Sequence, residues 1–481
     1  MEPMRELAAQ GAMIEALSSD SRRCAPGVAF LAYPGEKADG RGHIGDAIGR
    51  GASAVLWESE GFAWRSEWRV PNVGVPNLKA RAGGLAHDFY GRPSDRLWVC
   101  GVTGTNGKTS CSQWIAAALA ARGTRAAVIG TLGSGFPGAL VDSPNTTPDA
   151  LEIHRLLGQF VAEGAGAVAM EVSSHGLSQG RVNGVAFDCA LFTNLSHDHL
   201  DYHGSMEAYA QAKSKLFETP GLACAVLNLD DVVGVRLAQR LEGGTVRVIG
   251  YSVSGARNGA EYLVATRVGP GEMEIESSWG RATARVNQLG RFNMANALGV
   301  LGCLIAQGMA FEDAATMLSG LPAVPGRMQQ VGERPLVVVD YAHTPDALEK
   351  VLHALRPVAE QRGGRLVAVF GAGGDRDPAK RPAMGAVVSR LADRAVVTSD
   401  NPRSEDPLEI IRAIRAGMSG DCEVEADRAS AIEAAIARAS DADVVLIAGK
   451  GHESYQEVAG RRHPFSDVAV AREALRRGGR A

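Results

Sequence analysis

GVTGTNGKTS, residues 101–110, decides the reading of this chain. An apolar run, 97–102, leads into it and an alanine-rich stretch, 109–122, leaves it. A strand, a glycine-rich turn and a helix in that order form a phosphate-binding loop, whose backbone N–H groups can close around phosphate oxygens. Lys108 is placed to reach terminal phosphates and the Thr109 hydroxyl to take a metal ion. Gly104, Thr105, Asn106, Gly107 and Ser110 complete the candidate loop. The generic G-x-x-x-x-G-K-T spacing is not met, because Val102 stands where its first glycine belongs. ATP binding is expected; the other motifs decide what the ATP is used for.

Working outward, apolar segments at 126–130, 166–172, 187–193 and 223–228 alternate with helical stretches at 150–163 and 206–217. That alternation predicts an α/β unit with a largely parallel sheet. Segments 262–266, 272–278 and 282–286 alternate like antiparallel edge strands. A second series, 336–340, 365–370, 394–398, 422–425 and 443–448, predicts another open α/β sheet. Its unusual polar residues gather in YAHTPD, GAGGDRD, SDNPRSEDP and GKGHES, all at strand C-terminal ends, where such folds bind ligands. Before the phosphate loop, 28–33 and 54–57 predict strands, and 43–50 and 78–89 predict helices. GRPSD, 91–95, reads as a boundary. Three domains follow: 1–92, 93–328 and 329–481.

A chain of 481 residues with 45% hydrophobic residues is large enough for several cores. A formal charge of −4 argues against a broad basic nucleic-acid face. No apolar run is long enough to span a membrane, so a soluble, cytoplasmic chain is expected. Seven dispersed cysteines without a C-x-x-C pair read as reduced core thiols.

Several polar residues are candidates for chemistry. Glu171 closes an apolar strand and suits a magnesium ligand, or else caps the next helix. Ser173, Ser174 and His175 contact substrate or form a turn. Three His and two Asp crowd into 193–203; the spacing is not a zinc pattern, and His199 reads as a hard-metal ligand beside Glu171. A charged Lys213 would repel magnesium there, so it is either neutralised, for example as a carbamate, or a plain surface lysine. Asn293 and Asn296 share one helical face and either bind nucleotide or cap. Asp340 suits ribose hydroxyls, His343 lies in a turn fixed by Pro345, and Arg327 can approach the γ-phosphate from a domain junction, or is a solvated linker charge. Arg376, Asp377, Asp400, Asn401, Arg403, Gly449, His452 and Glu453 together offer guanidinium groups for a carboxylate and oxygens for an ammonium, as a zwitterionic amino acid needs; a salt-bridge network is the bland reading.

Taken with DSRRCAPGVAFLA (20–32), DGR (39–41), SPNTTPDA, MEVSSHGL, FTNLSHDHLDYHG, DYAHTPDAL, GGDRD, DNPR and GKGHE, these motifs resemble the Mur ligase family over nearly the whole chain. The resemblance implies a three-domain architecture with a central ATPase-like parallel sheet and a C-terminal Rossmann-like domain. It implies ATP-dependent addition of meso-2,6-diaminopimelate to the D-glutamate γ-carboxylate of UDP-MurNAc-L-Ala-D-Glu, through an acyl phosphate, in peptidoglycan synthesis. It implies UDP-MurNAc-dipeptide contacts at Ser19, Ser21, Lys37, Asn145, Thr146, Thr147, Ser173, Gln179 and Arg181. Nucleotide contacts carry over to Asn293, Asn296, Arg327, Asp340 and His343 beside the loop. Amino-acid contacts carry over to Arg376, Asp400, Asn401, Pro402, Arg403, Gly449 and Glu453. Thr109 and Glu171 are implied as ligands of one Mg2+, and Glu171, His199 and carbamylated Lys213 as ligands of a second. Lys108, Glu171, His199, Lys213 and Arg327 form the implied catalytic set, and a monomer is the simplest assembly. An L-lysine-adding ligase is the main alternative, which Arg403 and Asn401 oppose. A folylpolyglutamate synthase is opposed by the N-terminal DSR and DGR segments, and a non-enzymatic nucleotide switch leaves Lys213, His199 and the NTT segment unexplained.

Overall fold

The computed structural model describes residues 2–36, 38–257, 261–269 and 271–480. Lys37 therefore lies outside the described residues. Three sheets follow one another along the chain.

The first has four parallel strands in the order β1 (Ala16–Ser18), β2 (Val28–Ala32), β3 (Ala54–Glu58), β4 (Asn72–Val75). Its helix Leu78–Phe89 packs beside Ala150–Ala162 of the next unit. The segment expected to be helical at 43–50 divides into a tight 3-10 turn, Gly40–His43, and a short helix, Ile44–Gly49.

The second sheet runs from β5 (Trp98–Thr103) through β6 (Ala126–Gly130), β7 (Gly133–Phe136), β8 (Ala139–Val141), β9 (Ala167–Glu171), β10 (Cys189–Phe192), β11 (Cys224–Asn228), β12 (Arg247–Ser252), β13 (Tyr262–Gly269) and β14 (Glu272–Ser277) to β15 (Gly280–Arg285). The spatial order is β15-β14-β13-β12-β11-β10-β5-β9-β6-β7-β8. β5, β6 and β9 to β13 pair parallel. Antiparallel strands extend both edges. The chain composition explains this. Parallel strands here are covered on both faces, so they read as unbroken apolar runs. Cys100, Val102 and Leu191 face one packed layer with Trp114 and Leu298; Val99, Ala190 and Phe192 face the other with Ile153 and Phe160. Two details differ from the sequence reading. The strand at 262 pairs parallel to β12 on one side and only its other neighbour is antiparallel. The hairpin β7–β8 was not anticipated, because GSGF and ALV carry too little apolar alternation to announce a strand. All seven cysteines are free and six are buried, three of them in register on neighbouring strands (Cys100, Cys189, Cys224).

The third sheet is ordered β16-β17-β21-β18-β19-β20, with β16 (Gln329–Glu333), β17 (Leu336–Asp340), β18 (Leu366–Phe370), β19 (Arg394–Val397), β20 (Glu423–Val424) and β21 (Val444–Ala448). All pairs are parallel except the edge strand β16. A hairpin, β22 (Tyr455–Val458) and β23 (Arg461–Pro464), follows. Every polar loop singled out above leaves a C-terminal end of β17, β18, β19 or β21, so one side of this sheet faces the second unit with nearly all of its reactive chemistry.

Candidate functional site

The phosphate loop turns at Gly107, whose φ of +89 is open to glycine and strained for other residues. A Cβ at Gly107 would stand 2.5 Å from Asn296 Oδ1, so helix Arg291–Ala306 presses directly on the loop. Lys108 begins helix Lys108–Ala121 and folds back: Nζ donates to the carbonyls of Gly104 and Thr105, each at 2.9 Å. Burial pushes the Lys108 ammonium below its ordinary pKa, opposed by the charges of Glu171 and Asp198.

Thr109 and Glu171 meet, as the end of β9 lies beside the loop. Thr109 Oγ1 donates to Glu171 Oε2 at 3.0 Å. The carboxylate also accepts from the backbone N–H of Thr131 at 2.7 Å and from its hydroxyl at 3.0 Å. The helix after β9 is capped by Ser173, not by Glu171. Arg327 is no solvated linker charge: NH2 donates to Thr109 Oγ1 at 3.2 Å and the guanidinium lies 4.3 Å over the Tyr341 ring.

Lys213 is not a surface lysine. It is 1% exposed in helix Met206–Ser214, and Nζ donates to Gly104 O at 2.8 Å. Burial, then the nearby Lys108 charge, hold its pKa well below the ordinary value. His199 adopts a left-handed backbone, φ +54, and its ring stands edge-on to His175 at 4.8 Å. Burial lowers its pKa, against the pull of Asp198. His175 belongs to this ring cluster, 4.2 Å from Tyr202.

Lys108, Thr109, Glu171, His199 and Arg327 line a cavity of about 480 Å³ that reaches from the loop to Asn293, Asn296, Asp340 and His343. Asn293 does two things at once: it lines the cavity and its Nδ2 donates to Leu289 O at 2.8 Å, closing the helix entry. Both Asp340 oxygens accept backbone N–H bonds, from Met328 and Ala342, each at 2.7 Å. The carboxylate thus ties the domain junction to the YAHTPD loop, and burial raises its pKa. His343 Nδ1 donates to Tyr341 O at 2.8 Å, which leaves Nε2 as the acceptor. Gly104 and Lys213 do not line this cavity; they support its floor.

A second cavity, about 810 Å³, adjoins the first through Asp198, His199, Tyr341, His343 and Thr344. Its far wall carries Arg376, Asp377, Asp400, Asn401, Arg403, Gly449 and Glu453. Of the residues expected to meet the amino acid, Pro402 and His452 are absent from the lining; the Pro402 backbone packs on Gly374 and the His452 ring lies 5.3 Å from Tyr341. Sequence reasoning passed over Lys380, which lines the same cavity; its signal was a lysine four residues after Arg376 in a chain poor in lysine. Burial lowers the Lys380 pKa. It also passed over Asp346, whose Oδ2 accepts from Asn106 Nδ2 at 3.2 Å, Ser196 Oγ at 2.7 Å and Lys350 Nζ at 2.8 Å.

Four of the remaining candidates, Thr147, Ser173, Arg181 and Gln179, form one hydrogen-bonded chain. Thr147 Oγ1 donates to Glu171 O and lies 3.1 Å from Ser173 Oγ. Arg181 NH1 donates to Thr147 O at 2.8 Å and its Nε to Gln179 Oε1 at 2.8 Å. Gln179 Nε2 donates to Glu36 Oε2 of the first unit at 2.7 Å. Thr146 reaches the first cavity and bonds Thr131, while Asn145 and Ser143 form a local turn. Ser19 and Ser21 stand just beyond β1, on the first sheet.

Comparison with known proteins matches three family models in succession: the Mur ligase family catalytic domain at residues 13–90, the Mur ligase middle domain at 102–304, and the Mur ligase glutamate ligase domain at 326–451. The chain is 52% identical over 469 residues to the UDP-N-acetylmuramoyl-L-alanyl-D-glutamate--2,6-diaminopimelate ligase of Chromobacterium violaceum, covering 97% of this chain and 95% of that protein. A solved structure of a ligase of the same name is 35% identical, with a TM-score of 0.69 and coverage of 97% of this chain and 96% of that one. A folylpolyglutamate synthase from Mycobacterium tuberculosis shares the fold alone, at 18% identity, a TM-score of 0.62, 84% of this chain and 96% of that one.

Proposed function

The chain belongs to the Mur ligase family, and on that premise we propose that it joins meso-2,6-diaminopimelate to the D-glutamate γ-carboxylate of UDP-MurNAc-L-Ala-D-Glu at the expense of ATP. One observation carries the reading: a phosphate loop and a loop set suited to a zwitterion open into adjoining cavities that share His343 and Asp198. The γ-carboxylate oxygen attacks the γ-phosphorus of ATP and the bond to ADP breaks. The amine of diaminopimelate then attacks the acyl carbon, phosphate leaves, and the nitrogen gives up a proton. Lys108 and Arg327, which both line the first cavity, stabilise the charge of the transferring phosphoryl group. The groups on the far wall of the second cavity orient the incoming amine, and closure of the third unit on the loop excludes water from the acyl phosphate.

The donor chemistry at Thr109 and Glu171, hydroxyl and carboxylate oxygens at 3.0 Å, suits Mg2+. Held there, with His199 and Lys213 as further candidates, the cation would neutralise charge on the phosphates. Lys213 fits a carbamate: it is a buried amine whose Nζ, among the described residues, bonds one backbone carbonyl. The first unit, 1–92, takes the uridine end of the substrate through Ser19 and Ser21, and the network from Thr147 to Gln179 holds the dipeptide. No helix among the described residues is long and apolar enough to cross a membrane; we place the reaction in the cytoplasm and assign it to a monomer.

The test is phosphate release from MgATP with UDP-MurNAc-L-Ala-D-Glu, with meso-diaminopimelate or L-lysine added in parallel. Release with diaminopimelate, and a product heavier by one such residue, is expected. Release only with lysine would overturn the amino-acid assignment while keeping the ligase.

A further inference from the structure

Beneath the amino-acid wall of the second cavity lies a cation that does not line it. Lys450, in the GKGHES loop, has a fully buried side chain. Its Nζ donates to Asn401 Oδ1 and to Glu453 Oε2, each at 2.9 Å, and lies 5.6 Å from the Tyr455 ring. Asn401 Nδ2 donates to the same Glu453 oxygen at 2.8 Å. Asn401 Oδ1 also accepts the Glu457 backbone N–H at 2.9 Å. Three side chains from two loops therefore close a triangle. It sets the Asn401 amide one way round, since two donors demand the oxygen and a carboxylate demands the nitrogen. Glu453 Oε1 takes no hydrogen bond among the described residues, and Glu453 lines the cavity.

The stems of these loops are held by a second buried ion pair. Arg428 and Asp467 are both fully buried, with Arg428 Nε 2.7 Å from Asp467. Arg428 also donates to Ser399 O at 3.2 Å and Ala448 O at 2.9 Å, clamping the ends of β19 and β21. Gly449, at φ +122, leaves no room for a Cβ, which would meet Asp400 Oδ2 at 2.2 Å. The loops cannot separate freely, so the charge placed under them matters.

A buried carboxylate without a counter-ion is costly, and with one it presents little net charge to its surroundings. Glu453 paired with Lys450 can accept a hydrogen bond from an ammonium yet draws a lone ammonium only weakly. An amino acid whose distal end also bears a carboxylate gains a second anchor at Arg403 and Arg376 on the same wall. We propose that Lys450 is a positioning residue that sets specificity: it pins Glu453 and Asn401 while cancelling the Glu453 charge, so that the cavity selects a distal zwitterion over a distal amine. The inference rests on the ligase reading and deepens it.

Lys450→Met keeps the length of the side chain and removes its charge. Phosphate release is measured for wild type and variant with meso-diaminopimelate and with L-lysine, alongside KM for ATP. The expected result is a 10–100-fold rise in KM for diaminopimelate, an ATP KM within twofold, and at least a tenfold fall in the diaminopimelate-to-lysine ratio of kcat/KM. An unchanged ratio, or an unchanged KM for diaminopimelate, overturns the proposal. Should Lys450→Met lose its cooperative melt, the pair Glu453→Gln and Lys450→Met/Glu453→Gln decides. The double variant should use diaminopimelate at least fivefold better than Glu453→Gln alone, whose Lys450 charge is uncompensated; equal or poorer use overturns the proposal. Wild type that releases phosphate with neither amino acid would instead overturn the ligase reading itself.

Discussion

Arg403 holds a left-handed backbone, φ +53, and its NH1 donates to Gly374 O at 2.7 Å. Its backbone N–H donates to Glu457 O at 3.0 Å and its Nε lies 3.9 Å from Glu457 Oε2, so the residue is held at three points. Non-glycine residues rarely adopt this conformation, and they persist in it only where the surroundings impose it. His199 (+54), Met328 (+45) and Asp375 (+52) share it, each within one residue of a candidate contact. Asn77, Arg92 and Ala459 adopt it too, outside the cavity linings, so four of the seven such residues among those described lie at or next to candidate contacts. Arg403→Lys keeps the charge and loses the fork that meets a carboxylate through two N–H groups. Loss of one charged hydrogen bond, about 1.5–3 kcal/mol, corresponds to a rise in KM for diaminopimelate of roughly 10–100-fold. Steady-state phosphate release should show this with KM for ATP unchanged. A KM within threefold of wild type would remove Arg403 from the carboxylate contact.

At the scale of elements, the phosphate loop is a compromise between a strand that must end and a helix that must begin. Gly107 occupies the non-helical position before Lys108 and provides no side-chain cap, so the first N–H groups of the helix stay available to an anion. Several other helices do carry a side-chain cap, as Asp149 does for Leu151 and Glu152, although Leu78–Phe89 and Arg291–Ala306 also start without one. Gly107→Ala should therefore weaken the loop and leave the helix. A Cβ there carries about 1–2 kcal/mol of left-handed strain and meets Asn296 at 2.5 Å. Affinity for ADP, read by titration calorimetry, should fall about tenfold or more, with far-ultraviolet circular dichroism unchanged. Retained affinity would show that the loop can yield by moving helix Arg291–Ala306.

The whole molecule is joined at two seams. Asp346, at the start of helix Pro345–Arg362, takes hydrogen bonds from Asn106 and Ser196 of the second unit. Asp346→Ala should leave ATP affinity within threefold but lower kcat about tenfold, since two hydrogen bonds to a charged group hold the third unit closed. Solution scattering should show a larger radius of gyration; an unchanged radius with unchanged kcat would refute the latch. The other seam is His154, fully buried against the first unit, its Nε2 on Asn183 O at 3.0 Å and its ring 5.2 Å from His87. Burial, with a smaller push from His87, lowers its pKa from 6.5 to about 4, against the Asn183 bond. Above pH 6.5 folded and unfolded chains both hold this group neutral. Between pH 6.5 and 4 the unfolded chain takes up a proton that the folded chain refuses, so stability falls as pH falls. At pH 4.5 the loss is roughly 2.5 kcal/mol. His154→Gln, which keeps a donor for Asn183, should flatten the urea midpoint over that window; an equal acid loss in the variant would place its origin elsewhere.

The local chemistry was legible in the sequence because it is carried by contiguous residues. A strand, glycine turn and lysine–threonine pair are fixed by neighbours in the chain, and unbroken apolar runs mark strands covered on both faces. That sufficed for the loop, for Glu171 at the end of β9 and for the four reactive loops of the third sheet. The hairpins β7–β8 and β22–β23 and the edge strand β16 were not legible, because short polar strands gain their order from a partner and not from their own pattern. Burial decided the rest. The sequence leaves Lys213 open between a neutralised and a surface lysine; helix Met206–Ser214 buries its amine on Gly104 O. Lys450 and Asp346 lie in quoted motifs, GKGHES and YAHTPD, but their roles are not readable there; the first gains its meaning from Asn401 and Glu453, the second from Asn106 and Ser196. Sequence alone determined which groups are available, since composition and local turns are properties of the chain. Only the tertiary structure decided which charges lose their water and which partners compensate them, since both depend on how separate segments of the chain are packed together.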